Sequence, residues 1–351
     1  MTEFGVFLPN GSNRYMLSRA CAPYAPSFEH NRAIAVEAEA QGLNFLLPMM
    51  KFRGFGEDTG CWDACLDAFS LSSALAVVTE QITLLPTASM LALHPAVTVR
   101  LVATLSEIAG ERCGINLITG WNKPEYAQLG LWPGDTYYTE RYAYAAEYVK
   151  ILRALWTEGR ADFHSQHFDL DDCHCFPRPK HHVPIVSAGK SPRGVAFCEE
   201  FSDSRIMIGN PPVLDALRDR KRAGTSVTTG SYLLFHLLVA DSDAEAEDRG
   251  QTIIAEADQA AIHNRLASAA MDANTEGTSA ALQAGLSRSM EDGNLAFGAH
   301  PVIHGSPQTV AAKIDRIAEE TGADGFMFAW VDFVSGVRKF GERIKPLLRY
   351  A

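Results

Sequence analysis

No stretch of the sequence approaches the roughly 20 consecutive apolar residues that a helix needs to cross a bilayer. The opening Met1-Thr2-Glu3 carries neither the charged nor the apolar region of a secretory leader, so the expected location is the cytoplasm. Basic charge is scarce: 31 Lys and Arg stand against 42 Asp and Glu, a formal net charge of −11, and the basic residues are scattered. A nucleic-acid partner would require a clustered basic footprint, so that class is set aside. The seven cysteines are odd in number and irregularly spaced, which suits reduced thiols. Cys61/Cys65 and Cys173-His174-Cys175 lack a second half at zinc spacing, so no metal is expected. No G-x-G-x-x-G follows the first apolar run, which removes the usual support for an open dinucleotide-binding sheet.

What is present is a regular alternation. Hydrophobic residues make up 47% of 351, enough for a substantial core, and the expectation is one domain over residues 1–351. Short apolar runs predict strands at 4–8, 44–49, 82–88, 114–118, 184–187, 205–208, 232–239 and 325–330. Between them, apolar residues at helical spacing predict helices at 28–41, 62–79, 96–108, 140–155, 192–200, 212–221, 243 to about 263, and 338–348. Eight strands each followed by a helix, in runs too continuous to be half-exposed, point to an α/β fold of the (β/α)8 TIM-barrel type. Two stretches exceed the minimal barrel. Residues 159–183 predict a loop or hairpin inserted before strand five, and residues 265–305 a mobile lid between strands seven and eight.

Active sites of such barrels lie at the C-terminal ends of the strands. After strand two comes Met50-Lys51-Phe52-Arg53-Gly54, and strand three ends in Thr87-Ala88-Ser89. Strand four runs through Asn116-Leu117-Ile118-Thr119-Gly120-Trp121 into Lys123-Pro124-Glu125-Tyr126, and strand five into Ala188-Gly189-Lys190-Ser191-Pro192-Arg193-Gly194. In the last segment Gly189 permits a tight turn, Ser191 can cap a helix, and Pro192 suits the first helical position. Such a helix start attracts an anion, to which Lys190 or Arg193 would add charge; a phosphate fits, and so does ordinary capping. Arg141-Tyr142 either joins that site or is a solvated Arg beside a core-edge Tyr. Asn116 inside a barrel mouth needs partners, and Lys51 at the end of an apolar strand is rarely buried without one. Trp121 and Trp132 suit a planar ligand or a core equally, and His94 suits ligand binding or capping.

The strings Met50-Lys51-Phe52-Arg53-Gly54-Phe55-Gly56, Asn116 to Tyr126, and Leu131-Trp132-Pro133-Gly134-Asp135 resemble the bacterial luciferase-like flavin-dependent monooxygenases, most closely the RutA-type pyrimidine monooxygenases. The likeness runs from Gly5-Val6-Phe7 to Phe340-Gly341-Glu342-Arg343-Ile344. It implies FMN contacts from Met50, Lys51, Asn116, Glu125, Arg141, Tyr142 and Ser191. It further implies an oxygen pocket near the flavin N5, lined by Leu47, Thr87, Asn116 and Trp121, with Lys51 beside the flavin edge. Reduced FMN would come from a separate NADH-dependent flavin reductase, with O2 as co-substrate, and a uracil-like ring would be opened at an amide. A homodimer or homotetramer is also implied. In this reading Thr87 and Asn116 act as small polar donors, while Leu47 and Trp121 exclude water. The sequence departs from the pattern at Pro48, at Leu91-Ala92-Leu93, at His94 and at Met207-Ile208-Gly209-Asn210, on the expected substrate side. Sulfones, sulfonates and other heterocyclic or halogenated aromatic substrates therefore stay open. So do a flavin-binding relative without turnover and a deazaflavin-dependent reductase.

Overall fold

Along each strand, alternate residues enter two different cores. Phe45, Leu47, Leu85, Val186, Leu234 and Met327 pack together in one cluster. Their strand neighbours Leu46, Leu84, Ile185, Leu233, Phe326 and Phe328 pack in another, with the helices. A period of two that buries both faces demands a sheet closed on itself with helices outside. The computed structural model, which describes residues 2–225, 227–272 and 293–350, has that form.

The first barrel strand, Glu3–Leu8, pairs in parallel with Phe45–Pro48 on one side and with Gly325–Trp330 on the other. From Gly325–Trp330 the ring continues through Gly230–Val239, Ser204–Ile208, Ile185–Ser187 and Ile115–Ile118, all parallel. It closes through residues 83–89, where Thr83–Leu84 pairs with the second strand and Thr87–Ser89 with the fourth. The strand expected at 82–88 is thus two pieces, because Pro86 has no N–H to continue a ladder. Its carbonyl still accepts the Asn116 N–H at 3.0 Å. That break fixes Thr87 opposite Asn116.

Two expected helices come out shorter, each for a local reason. Of residues 62–79, only Ala68–Ala76 is helical; the Asp67 carboxylate caps it from the Ser70 N–H, and Trp62 takes a positive φ of 66° in the loop before. The run from 243 to 263 is two helices, Asp243–Ala255 and Gln259–Ala270, because Asp258 caps the second by accepting the Ala261 N–H at 3.1 Å. The last stretch begins earlier than expected: Phe333–Lys339 is α-helical, followed by a π turn at Phe340–Ile344 and a 3-10 turn at Lys345–Leu347.

Before the fifth barrel strand, Arg160–His164 and Asp169–His174 form an antiparallel hairpin, one of the two forms expected of that insertion. The region 265–305, expected as a mobile lid or insertion, has regular elements at its two ends. Residues 265–270 belong to a helix, Asn294–Phe297 form a 3-10 turn, and Val302–Gly305 adds a strand beside Gly230–Val239. Residues 273–292 lie outside the described residues. Among the described residues no helix is long and apolar enough to cross a membrane.

Asp258 joins two mouth segments. Besides its capping bond, its carboxylate accepts the Thr59 N–H at 2.9 Å and the Thr59 hydroxyl at 2.8 Å. Burial raises the pKa of this group, but the three hydrogen bonds outweigh it and leave it below its ordinary 3.8. Asp258→Ala is expected to lower the unfolding free energy by about 2 kcal/mol, from a lost cap and two further bonds. The folded pKa is depressed, so this advantage exists above the unfolded pKa and is lost as pH falls below 3.8. Urea unfolding of both proteins at pH 7 and near pH 3 measures it; equal stability at pH 7 would contradict the assignment.

Candidate active site

The mouth is organised by one buried ion pair. After the fourth barrel strand the chain turns at Gly120, whose φ is +78° and where a Cβ would stand 2.8 Å from the Tyr126 ring. No other residue fits that turn easily. The short helix Lys123–Ala127 that follows presents Glu125 to the loop after the second strand. There Lys51 Nζ lies 2.5 Å from Glu125 Oε2, and the Phe52 N–H donates to Oε1 at 2.8 Å. Asn122 Nδ2 donates to Oε2 at 3.4 Å. The two side chains are only 7% and 5% exposed, so neither charge has water to fall back on. The rings of Phe55, Trp62 and Trp121 stand 5.5, 5.8 and 5.8 Å from the ammonium, within cation–π range.

Asn116 sits between Ile115 and Leu117, which both pack outward, so its amide faces the barrel interior. The Thr87 hydroxyl donates its single hydrogen to the Pro48 carbonyl at 2.7 Å. It must then act as acceptor toward Asn116, whose Nδ2 donates to it at 2.9 Å. This chain of bonds fixes the amide's orientation and leaves Oδ1 buried without a partner. Thr87 therefore has no hydrogen to offer a ligand, and Asn116 presents an acceptor. Leu47 is buried inside the barrel, Met50 is buried beside Lys51, and Trp121 is half-buried at the mouth.

A second polar group lies at the start of the helix Pro192–Phe201. Ser191 caps it by accepting the Gly194 N–H at 3.2 Å. The preceding turn is tight: a Cβ on Gly189 would stand 2.1 Å from the Gly194 carbonyl, and one on Gly194 would stand 2.3 Å from the Tyr142 hydroxyl. Tyr142 thus borders the Ser191 turn, and Arg141 lies next to it, 1% exposed, with its guanidinium 5.6 Å from the Tyr142 ring. One Arg141 nitrogen donates to Asp272 at 3.2 Å, while Nε and the other terminal nitrogen are buried and unbonded. Arg193 points elsewhere, donating to the Thr139 carbonyl at 3.1 Å.

Trp132 is half-buried against Tyr137 and Tyr138, and its indole N–H donates to Asp135 at 3.3 Å. His94 is exposed and caps the helix Pro95–Ala109, accepting the Ala96 N–H at 3.3 Å. The structure thus gives His94 the capping role of the two readings. All seven cysteines are free thiols. Among the described residues no group of three or more His, Cys, Asp or Glu side chains could hold a metal ion.

Sequence reasoning passed over three residues at this mouth. Arg265 stands 5.5 and 5.3 Å from the Phe55 and Trp62 rings, His300 packs on Phe7 and Tyr15, and His236 is fully buried with neither ring nitrogen bonded. None belongs to a motif. The one available signal was a histidine inside the otherwise apolar run 232–239.

The mouth of this closed parallel barrel brings a buried amide, a guanidinium and aromatic walls to the strand ends where such barrels carry their active sites. Residues 2–325 match the family described as luciferase-like monooxygenase, and the chain belongs to that family. It is 38% identical to the pyrimidine monooxygenase RutA of Acinetobacter baylyi over 353 residues, which cover 99% of this chain and 94% of the relative. It is equally similar to the protein of that name from Escherichia coli O1:K1, covering 99% and 92%. Among solved structures, a riboflavin lyase with modified FMN and riboflavin superposes with a TM-score of 0.84 at 22% identity, covering 100% of this chain and 92% of that one. The EDTA monooxygenase of Chelativorans sp. BNC1 gives 0.79 at 17%, covering 99% and 93%. At those identities the two structures speak for the fold alone.

Lys51→Met leaves the Glu125 carboxylate buried without its cation and is expected to lower the unfolding free energy by about 3–5 kcal/mol. The double variant Lys51→Met/Glu125→Gln is expected to recover more than half of that loss. Urea titrations of the three FMN-free proteins check it; a single variant within 1 kcal/mol of wild type would show that the pair does not hold the mouth together.

Proposed function

We propose that this chain is the oxygenase of a two-component system: it takes reduced FMN from an NADH-dependent flavin reductase and uses O2 to oxidise a cyclic amide of the uracil type. The cytoplasmic location and a homodimer or homotetramer belong to the same reading. The observation that carries it is that several of the buried polar atoms left unbonded belong to residues of this mouth: Asn116 Oδ1, Asn122 Oδ1, and two nitrogens of Arg141. Buried polar groups are almost always satisfied, so orphans converging on one mouth indicate a ligand. FMN fits them, having ring N–H and C=O groups at one end and a phosphate at the other.

Arg141 and the capped helix start at Ser191 would hold the phosphate, since a guanidinium pairs bidentately with phosphate and helix N–H groups attract it. Met50, Lys51, Asn116, Glu125 and Tyr142 would border the rest of the cofactor. Reduced FMN supplies the electrons that activate dioxygen. The chain's own residues do the remainder. Leu47, Trp121 and the neighbouring rings keep water from the reacting atoms. Asn116, locked by Thr87, offers a pre-oriented acceptor, and Lys51, held by Glu125, offers a fixed positive charge where negative charge develops. The pyrimidine class is supported by 38% identity over nearly the full length of both chains.

Two experiments test this. Arg141→Met is expected to weaken FMN binding at least about tenfold, the worth of one lost charge-assisted bond pair, while riboflavin binding changes little. Fluorescence quenching titrations measure both, and equal losses for the two flavins would remove Arg141 from the phosphate site. For the reaction, the protein is incubated with uracil, FMN, NADH, a flavin reductase and 18O2. A ring-opened product carrying one labelled oxygen is the expected result. Oxygen uptake that yields hydrogen peroxide alone, across uracil and related cyclic amides, would overturn the assignment.

A further inference from the structure

Three cationic or titratable side chains at the mouth take no part in the scheme above. Lys190 follows the fifth barrel strand and keeps accessible surface although protein surrounds it. Arg265 projects from the helix Gln259–Ala270 and is 7% exposed. His300, 4% exposed, precedes the strand Val302–Gly305. Arg265 and His300 share a wall of rings. Arg265 lies 5.5 and 5.3 Å from the Phe55 and Trp62 rings, the same two rings that flank Lys51. Tyr15 joins that wall 5.9 Å from Trp62, and His300 packs 5.7 Å from Tyr15.

Among the described residues these groups are incompletely partnered. One terminal nitrogen of Arg265 and Nδ1 of His300 are buried and unbonded. Among the described residues neither Lys190 nor Arg265 forms an ion pair, whereas Lys51 and Arg141 each have a carboxylate. Among the described residues they also lack counter-charge. Burial, and then Arg265, push the Lys190 ammonium down to about 8. Burial, Arg265, His236 and Lys190 all push His300 down, and nothing acidic opposes them. Burial lowers Arg265 as well, with only the Cys61 thiol acting the other way. Two cations, Lys190 and Arg265, without an anion among the described residues are unfavourable until one arrives, and His300, kept neutral by the same surroundings, can donate a hydrogen bond to it. A planar guanidinium with a free edge matches a carboxylate bidentately.

We propose that Arg265, Lys190 and His300 form a subsite for a carboxylate carried by the substrate, which makes an acidic cyclic amide a preferred substrate over neutral uracil. This rests on the oxygenase reading above. In the reading above the phosphate goes to Arg141 and Ser191 beside Tyr142, which leaves this subsite for the substrate. It adjoins Lys51 across Phe55 and Trp62, so an anchored carboxylate holds its ring at the mouth.

Isothermal titration of the FMN-loaded, oxidised protein with uracil, 6-carboxyuracil and 5-carboxyuracil tests it without turnover. At least one carboxyuracil is expected to bind about tenfold or more tightly than uracil, the worth of one charge-assisted contact. Arg265→Met and, separately, Lys190→Met are expected to bring that ratio to within about threefold, with FMN affinity unchanged. Lys190 is accessible, so its variant keeps the test valid if Arg265→Met fails to fold. The proposal is overturned if uracil binds as tightly as both acids, if no uracil or carboxyuracil binds, if the preference survives both substitutions, or if FMN affinity falls in parallel. Oxidation is scored separately with the reductase: a carboxyuracil bound through Arg265 and Lys190 but never oxidised would leave the subsite standing and remove the pyrimidine reaction.

Discussion

An ammonium and a carboxylate that are both out of water must stay together, because separating them strands two buried charges. At Lys51 and Glu125 this constraint joins the loop after the second barrel strand to the short helix after the fourth. Glu125 accepts the Phe52 N–H with its other oxygen, so the backbone of the Lys51 loop is tied down along with its side chain. Phe55, Trp62 and Trp121 then have a fixed cation to pack around. Asn116 is immobilised by a separate chain, through Thr87 to the Pro48 carbonyl, that begins at the same second strand. Both devices pre-orient polar groups before any ligand arrives, which is what electrostatic stabilisation of a reaction requires.

Charge is distributed unevenly around this mouth. The Lys51 cation is matched by Glu125, and Arg141 has Asp272 plus two unbonded nitrogens. Among the described residues Lys190 and Arg265 form no ion pair, and one Arg265 nitrogen and His300 Nδ1 are buried and unbonded. In a chain with 42 acidic residues against 31 basic, an unmatched cationic corner beside the site is the opposite of what composition favours. It marks where the substrate's own charge belongs.

The barrel was legible because continuous apolar strands and amphipathic helices alternate eight times, and each strand's two faces enter separate cores. The boundaries were less so. An apolar run from Trp62 reads as helix, yet the cap forms at Asp67, while Asp63 upstream accepts the Gly56 N–H instead. The 243–263 run hides a second cap at Asp258. In the site, Lys51 and Asn116 stood out because polar residues at the ends of buried strands need a reason to be there, and Glu125 came from the family resemblance. That Lys51 pairs with Glu125, 74 positions away, and that Thr87 is an acceptor toward Asn116, are facts of packing that no spacing encodes. Arg265 and His300 were hidden for the same reason: they come from separate elements late in the chain and meet only in the folded mouth.

The central claim is that the orphan polar atoms of the mouth are the binding groups for FMN. A crystal structure of the chain with FMN tests it most directly. The account predicts the phosphate bonded to Arg141 and Ser191, the ring system beside Lys51 and Asn116, and the Asn116 Oδ1 and Arg141 orphans satisfied. Flavin bound elsewhere, or bound at the mouth with those atoms still unpartnered, would contradict it.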